Sequence, residues 1–289
     1  MKKALITGVT GMVGSHLADY LLSKTSWKIF GACRWRSPIE NINHLNKRIN
    51  LKDRMELDYL DLADYTSIYE SLKRIKPDYI FHLAAQSFPK ASEWGVISAC
   101  AWGAMRAMDY LETDDNIDHK KVAIMGHSKM GKTTLWTAAQ DDRFALAISA
   151  QSGCAGAALW RRKSGETLKK MITRFPYWLC RNAWKFVDQE DDLPIDQHML
   201  LACIAPRPVY VHSGIKDTWA DGRGEYLSAF HASEVYKLYG KKALNSQDSP
   251  PIGKAIIESH VGYHIREGGH SIESFDWKRF LDFADYHLK

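Results

Sequence analysis

The chain reads as an α/β protein with three αβα layers, helices covering both faces of a mainly parallel sheet. Three observations lead there. Short apolar strands alternate with helical segments along most of the chain. A Gly-rich turn, Thr7-Gly8-Val9-Thr10-Gly11-Met12-Val13-Gly14, follows the first strand and opens a helix. A second turn of the same kind, Gly126-His127-Ser128-Lys129-Met130-Gly131-Lys132-Thr133, again stands between a strand and a helix. Alternation of this sort is the signature of βαβ units.

The elements follow in order. Ala4–Thr7 is a short apolar strand, and a helix runs from the first turn through Leu22. Lys28–Cys33 and Met55–Leu57 read as strands, Leu62–Ile75 as a helix and Tyr79–Ala84 as a fourth strand. Glu93–Glu112 is helical, Lys121–Met125 a strand, Gly131–Gln140 a helix and Leu146–Ala150 a strand. Residues 153–195 are irregular and aromatic-rich, with Trp160, Phe175, Tyr177, Trp178 and Trp184. Pro208–Ser213 and Gly262–Ile265 close the set of strands, Tyr226–Tyr239 and Phe275–His287 the set of helices.

Composition narrows the class. A length of 289 residues suits one large α/β domain or two small ones. With 45% apolar and 25% charged residues the chain can bury a full core. The net charge of +5 comes from scattered residues, and the cluster Arg161-Arg162-Lys163 reads as a solvated face, so no nucleic-acid partner is expected. Five cysteines, an odd number without a CxxC pair, argue against a disulfide framework or structural zinc. His260 and His264 have HxxxH spacing but no third ligand, so no metal is expected either. Met1–Ala4 runs straight into a strand without the parts of a signal peptide, and no apolar run approaches about 18 residues. The expectation is a cytoplasmic protein with no membrane contact; the oligomeric state has no signal.

The first turn has the physics of a nucleotide loop. Its glycines let the backbone turn tightly and approach a pyrophosphate seated on the helix N-terminus. With Arg34-Trp35-Arg36-Ser37, Asp61-Leu62 and His82-Leu83-Ala84-Ala85-Gln86-Ser87, residues 1–90 resemble the extended short-chain dehydrogenases, GDP-mannose 4,6-dehydratase above all. The resemblance implies a Rossmann half that binds NADP through Gly8, Gly11, Met12, Gly14, Arg34, Arg36, Asp61 and Leu62, with the arginines toward the 2′-phosphate. The family's catalytic Tyr-x-x-x-Lys is missing after the fifth strand. Tyr69-Glu70-Ser71-Leu72-Lys73 has the spacing on the wrong helix, so redox turnover is not expected.

The second turn fits two incompatible templates: a P-loop, GxxxxGK[ST], and a nucleophile elbow whose second glycine comes one residue late. An elbow serine should be followed by an acid and then a histidine. Asp217 stands after the strand 208–213, and His270 lies in Gly268-Gly269-His270 before the terminal helix. That order favours the elbow, with Ser128 as nucleophile.

Residues 94–289 then resemble the glucuronoyl esterases, carbohydrate esterase family 15. The match lies in Trp102-Gly103 with Met108-Asp109-Tyr110-Leu111, the elbow, Ser152–Ala158, Asp196-Gln197-His198-Met199-Leu200 and Gly262-Tyr263-His264. It implies an α/β-hydrolase in which Ser128 attacks, His270 moves the proton and Asp217 orients His270. Gln151 stands where many members carry the acid and cannot serve as one. The Lys129 N–H would be an oxyanion donor, its side chain replacing a family arginine. Lys132, Glu166 and Trp219 match sugar-binding positions.

The implied activity is hydrolysis of (4-O-methyl) glucuronoyl esters of the lignin–carbohydrate type, on a small-molecule or oligosaccharide uronate ester. Hydrolysis needs no cofactor; NADP is the ligand the N-terminal half would take. The alternatives are an NADP-binding, dehydratase-like protein without redox turnover, or an inactive fusion. The two resemblances are nearly complementary, residues 1–90 and 94–289. A right-handed crossover would give one sheet of order 3-2-1-4-5-6-7-8, with two separate subdomains as the alternative. In one sheet Ser128 would lie two strands from the pyrophosphate site, roughly 10 Å at about 4.8 Å per strand, so that NADPH and ester would compete.

Overall fold

Where both faces of a strand are covered, its residues are apolar without alternation, and the buried run Ile29–Cys33 follows that rule. The computed structural model describes residues 1–62, 64–83 and 94–289. Its strands are Lys3–Thr7 (β1), Lys28–Cys33 (β2), Met55–Tyr59 (β3), Tyr79–His82 (β4), Ala123–His127 (β5), Leu146–Ala150 (β6), Val209–Gly214 (β7), Ala255–Ile256 (β8) and Val261–Arg266 (β9). Every residue of β6, β7 and β9 is buried. The helices are Met12–Lys24 (α1), Asn46–Asn50 (α2), Tyr65–Ile75 (α3), Val96–Leu111 (α4), Lys129–Gln140 (α5), Leu168–Arg174 (α6), Gln197–Ala202 (α7), Gly222–Leu238 (α8) and Ser274–His287 (α9). None of the described helices is long and apolar enough to cross a membrane.

The strands form two sheets, not one. The first has the order β3-β2-β1-β4 and the second β5-β6-β7-β9-β8. All pairings are parallel except β8 with β9. The expected single sheet fails between its fourth and fifth strands. Crossover handedness dictates the side on which a strand arrives, not whether its edge pairs. Here β4 pairs with β1 and β5 with β6, and no ladder joins β4 to β5 among the described residues. The strand spacing that predicted competition between NADPH and ester therefore has no basis.

The chain divides into two compact units. One comprises residues 1–86, 112–118 and 272–277, the other residues 87–111, 119–271 and 278–289. In the first unit, α1 buries Leu17, Ala18, Leu21 and Leu22 at helical spacing. Asp64 caps α3 by accepting from the Thr66 N–H, and Lys76 ends it in the left-handed region. The Ala84–Ser87 part of the dehydrogenase-like motif lies outside the described residues, as do Ala84 and Glu93 at the ends of their expected elements.

In the second unit a core of Leu135, Ala147, Leu201, Val209, Val211, Tyr226, Tyr236, Val261 and Tyr263 packs around the sheet. The segment 153–195 is less irregular than expected. It contains α6, capped by Thr167, and 3₁₀ turns at Trp160–Arg162, Arg181–Phe186 and Glu190–Asp192. Its aromatic residues are the reason it orders: Trp178, Leu168, Met171 and Ile172 make a second core cluster with Val96 and Ile97 of α4.

Candidate active site

Parallel neighbours end on one edge of their sheet, where α/β folds collect ligands. Four consecutive strands of the second sheet, β5, β6, β7 and β9, are parallel. Ser128, Gln151, Asp217 and His270 follow them in turn, and all four line one cavity of about 300 Å³.

Ser128 sits on the turn from β5 into α5 at φ 58°, ψ −124°. A non-glycine residue with such angles is strained by about 1–3 kcal/mol, and strain of this kind concentrates at functional sites. The hydroxyl does not cap α5. Close packing of the turn dictates the glycine before it: a Cβ on Gly126 would lie 2.1 Å from the Met130 carbonyl oxygen. The late glycine of the motif is explained likewise, since a Cβ on Gly131 would come within 2.9 Å of Ser152 Cβ.

His270 lies on the loop after β9, and its Nδ1 donates to Asp217 Oδ2 at 2.6 Å. Asp217 is buried, and Oδ1 accepts from the Ala220 N–H at 3.2 Å. Burial pushes the Asp217 carboxyl up, but the hydrogen bond and charge of His270 outweigh it and hold the carboxyl below the usual range. With Nδ1 bound to a carboxylate, Nε2 of His270 is left as the proton acceptor. Ser128 and His270 line the same cavity but are not hydrogen-bonded to each other. Such contacts commonly tighten only when substrate binds.

Gln151 holds a left-handed backbone at φ 45° after β6 and is 1% exposed. Its carboxamide orientation is dictated by its partners. Nε2 donates to the Gly269 carbonyl at 2.7 Å, and Oε1 accepts from the Ser271 N–H at 3.0 Å. The same Oε1 lies 3.0 Å from His127 Nε2, which must therefore carry a hydrogen. Burial, then the neighbouring His270, push His127 down to about 3, so it stays neutral beside Ser128.

The three sugar-site residues of the sequence reading all line the cavity. The Lys132 ammonium donates to Ser152 O at 2.6 Å, Cys154 O at 2.5 Å and Glu166 Oε2 at 2.6 Å. That uses all three of its donors. It also bears on the ambiguity of the second turn. A P-loop lysine must reach phosphate, whereas the Lys132 side chain is 2% exposed with its ammonium taken up by protein acceptors, and the Thr133 hydroxyl bonds back to Lys129 O at 3.2 Å. Glu166 belongs to a loop held to the Trp219 carbonyl through its N–H at 2.7 Å. Trp219 is 38% exposed, with Lys170 and Arg174 over its ring at 5.7 and 5.9 Å. The Lys132–Glu166 pair is buried, so removing one partner strands a charge. Glu166→Ala should lower stability by about 3–5 kcal/mol, read from denaturant midpoints; a change below about 1 kcal/mol would contradict the buried pairing.

Lys129 is not among the residues lining this cavity, and burial lowers the pKa of its ammonium. Its backbone N–H opens α5, in the turn whose N–H groups point out of the helix N-terminus. The expectation thus divides: the N–H is placed by the elbow, the side-chain charge is not placed on the cavity wall.

Sequence reasoning missed Arg174, Phe175 and Trp178 as cavity lining; they had registered only as part of an aromatic-rich stretch. It also missed Glu225. This fully buried side chain of α8 accepts from Ser213 Oγ at 2.6 Å and the Gly153 N–H at 3.0 Å, tying the loop after β6 to the end of β7. No motif marks it. Burial, against those bonds, pushes its carboxyl up to about 7. A carboxyl raised on folding stabilises fully below its unfolded value, and that stability is lost as pH rises through the folded one. Between about pH 4.3 and 7, Glu225 therefore makes the fold progressively less stable. Glu225→Gln should raise Tm relative to the parent more at pH 8 than at pH 4.5. Equal shifts at both would contradict it.

In the first unit the nucleotide-loop residues keep the expected backbone. Gly8 has φ 72°, the Gly11 N–H donates to Gly8 O at 2.9 Å, and α1 begins at Met12. A Cβ on Gly14 would lie 2.4 Å from Gly8 O, so helix and loop pack too closely for a side chain. Arg34, Arg36, Asp61 and Leu62 are exposed after β2 and β3. Tyr69 and Lys73 form a cation–π contact of 5.7 Å on α3. Of the HxxxH pair, His260 packs on the His287 ring and His264 Nδ1 pairs with the Tyr210 hydroxyl at 2.8 Å.

Comparison with known proteins agrees with both readings. The family model for fungal glucuronyl esterases matches residues 79–240, and that for GDP-mannose 4,6 dehydratase matches residues 5–124. Carbohydrate esterase MZ0003, from an unknown prokaryotic organism, is 50% identical over 203 residues, covering 70% of this chain and 47% of its own. The glucuronoyl esterase of Solibacter usitatus superposes with a TM-score of 0.66 at 43% identity, covering 71% of this chain and 52% of its own. A promiscuous CE15 esterase from the marine bacterial metagenome superposes with a TM-score of 0.70 at 35% identity, covering 100% of this chain and 74% of its own. The chain thus spans about half the length of the first two and three quarters of the third.

Proposed function

This chain belongs to the glucuronyl esterase family, and on that premise we propose that it hydrolyses carboxylic esters of uronic acids, the glucuronoyl esters of lignin–carbohydrate type. The observation that carries the reading is the His270–Asp217 bond of 2.6 Å on the same cavity as a strained, uncapping Ser128.

The steps follow from the geometry. His270 Nε2 takes the Ser128 proton as Oγ adds to the ester carbonyl. The oxyanion forms at the N-terminus of α5, beside the Lys129 N–H, where the helix dipole favours negative charge. Collapse expels the alcohol, which receives the proton from His270. Water then adds to the acyl-enzyme with His270 again as base, and the uronic acid leaves as Ser128 is regenerated. Asp217 stays ionised throughout and stabilises the imidazolium. Trp219 offers a flat face to a sugar ring, and Glu166, held by Lys132, an acceptor for its hydroxyls.

Purified protein should release benzyl alcohol from benzyl glucuronate at a rate proportional to enzyme concentration. A rate no greater than that of buffer would overturn the reading.

A second reading concerns the first unit, where the close contact of Gly14 with Gly8 favours nucleotide binding. NADPH titration followed by cofactor fluorescence should saturate, and Arg34→Ala with Arg36→Ala should weaken it about tenfold or more. No saturation at millimolar NADPH would leave this unit without a nucleotide.

A further inference from the structure

We propose that Gln151 is a positioning residue that clamps the His270 loop to the elbow, and that the position requires a donor and an acceptor together. The inference rests on the assignment of His270 as the base. His270 stands between Gly269 and Ser271. The Gly269 carbonyl accepts from Gln151 Nε2 at 2.7 Å, and the Ser271 N–H is shared at 3.0 Å between Gln151 Oε1 and that same Gly269 carbonyl. One side chain therefore holds the backbone on both flanks of the base. Through the same Oε1 it binds His127, the neighbour of Ser128, at 3.0 Å. Nucleophile loop and base loop meet on one carboxamide, while Asp217 holds only the imidazole ring.

Chemistry selects the amide. Nε2 faces the Gly269 carbonyl, which can only accept; Oε1 faces the Ser271 and His127 N–H groups, which can only donate. A carboxylate offers acceptors alone and would set lone pairs against the Gly269 carbonyl. A neutral carboxyl offers one donor and one acceptor, as the amide does. The side chain is 1% exposed, and Nε2 also packs on Gly214, where a Cβ would lie 2.6 Å away. The loop therefore has little room to find other partners. Gln151 thus works through the placement of His270.

The test compares two variants of the full chain with the parent. Gln151→Glu should lower kcat for benzyl glucuronate about a hundredfold at pH 9, a penalty of the size expected for a misplaced base. The ratio of variant to parent should recover at least tenfold by pH 5.5 as the buried carboxyl takes a proton. Gln151→Met, of similar length without polar atoms, should lower kcat by a factor that does not change with pH. In both variants, at pH values where the clamp is broken, the Ser271 amide should exchange with solvent faster than in the parent.

A Glu variant as active as the parent at pH 9 would overturn the proposal, because the position would then accept or use an acid. A Met variant with parental kcat and parental Ser271 exchange would overturn it as well. Should the Met variant fail to fold, the Glu variant decides, since its neutral form reproduces the parent's hydrogen bonds. A parent without turnover would refute the esterase reading, and Ser271 exchange would still decide the clamp.

Discussion

Ser128→Ala should lower ester hydrolysis by about 10⁵-fold or more, the scale on which removal of a serine nucleophile acts, and leave the fold intact. The reasons are local. The Ser128 hydroxyl does not cap α5, so no helix cap is lost. Alanine at φ 58° carries about the strain that serine does. On the proposed mechanism, what disappears is the atom that adds to the carbonyl. Initial rates on benzyl glucuronate, beside thermal melts of parent and variant, check both halves. Retention of turnover would remove Ser128 from its role. Lys132→Ala separates this from the P-loop template: it should cost stability, because the Lys132–Glu166 pair is buried, and should leave NADPH affinity unchanged.

Asp217→Asn should lower kcat by about 10³- to 10⁴-fold. The carboxylate accepts from His270 Nδ1 at 2.6 Å and from the Ala220 N–H at 3.2 Å. An asparagine that keeps its oxygen on Ala220 turns an N–H toward His270 and forces the other tautomer. The Nε2 that must accept the Ser128 proton would then already carry one. The imidazolium would also lose its counter-charge. Gln151→Ala should cost far less, about tenfold to a hundredfold, since it loosens the base without changing its tautomer. The reverse ranking would remove Asp217 from its role. The pH sign follows from the lowered Asp217 carboxyl. Its stabilising contribution is complete above the unfolded value of about 3.9 and is lost as pH falls through the folded one. Loss of Asp217's role on acidification is therefore confined below about pH 4.

Much of the fold was legible. Lys28–Cys33 and Leu146–Ala150 match their observed strands at both ends, because a buried parallel strand is a mostly apolar run bounded by polar residues or turns. The placement of Ser128, Asp217 and His270 after successive strands was legible because an apolar run marks each strand. The antiparallel β8 and the short α6 and α7 were not. Two residues make no period, and helices of six or seven residues form here because Thr167 and Asp196 cap them and aromatic neighbours cover them.

The sequence by itself determined the class of fold, the two Gly-rich turns and the order in which Ser128, Asp217 and His270 follow their strands. These depend on local steric rules, on glycine where only glycine fits and on strand ends that recur along the chain. The tertiary structure alone decided three matters. Edge pairing made two sheets from one expected sheet, because hydrogen bonds between strands are set by which edges meet and not by their order in the chain. The Lys132 ammonium was turned to Ser152, Cys154 and Glu166, from 20 to 34 positions away, a placement that favours the elbow over the P-loop. The third is the partnership of Gln151 with Gly269 and Ser271, 118 and 120 positions away. A contact across that distance leaves no period in the sequence, because it is made only when β6 and β9 bring their ends to one edge of the sheet.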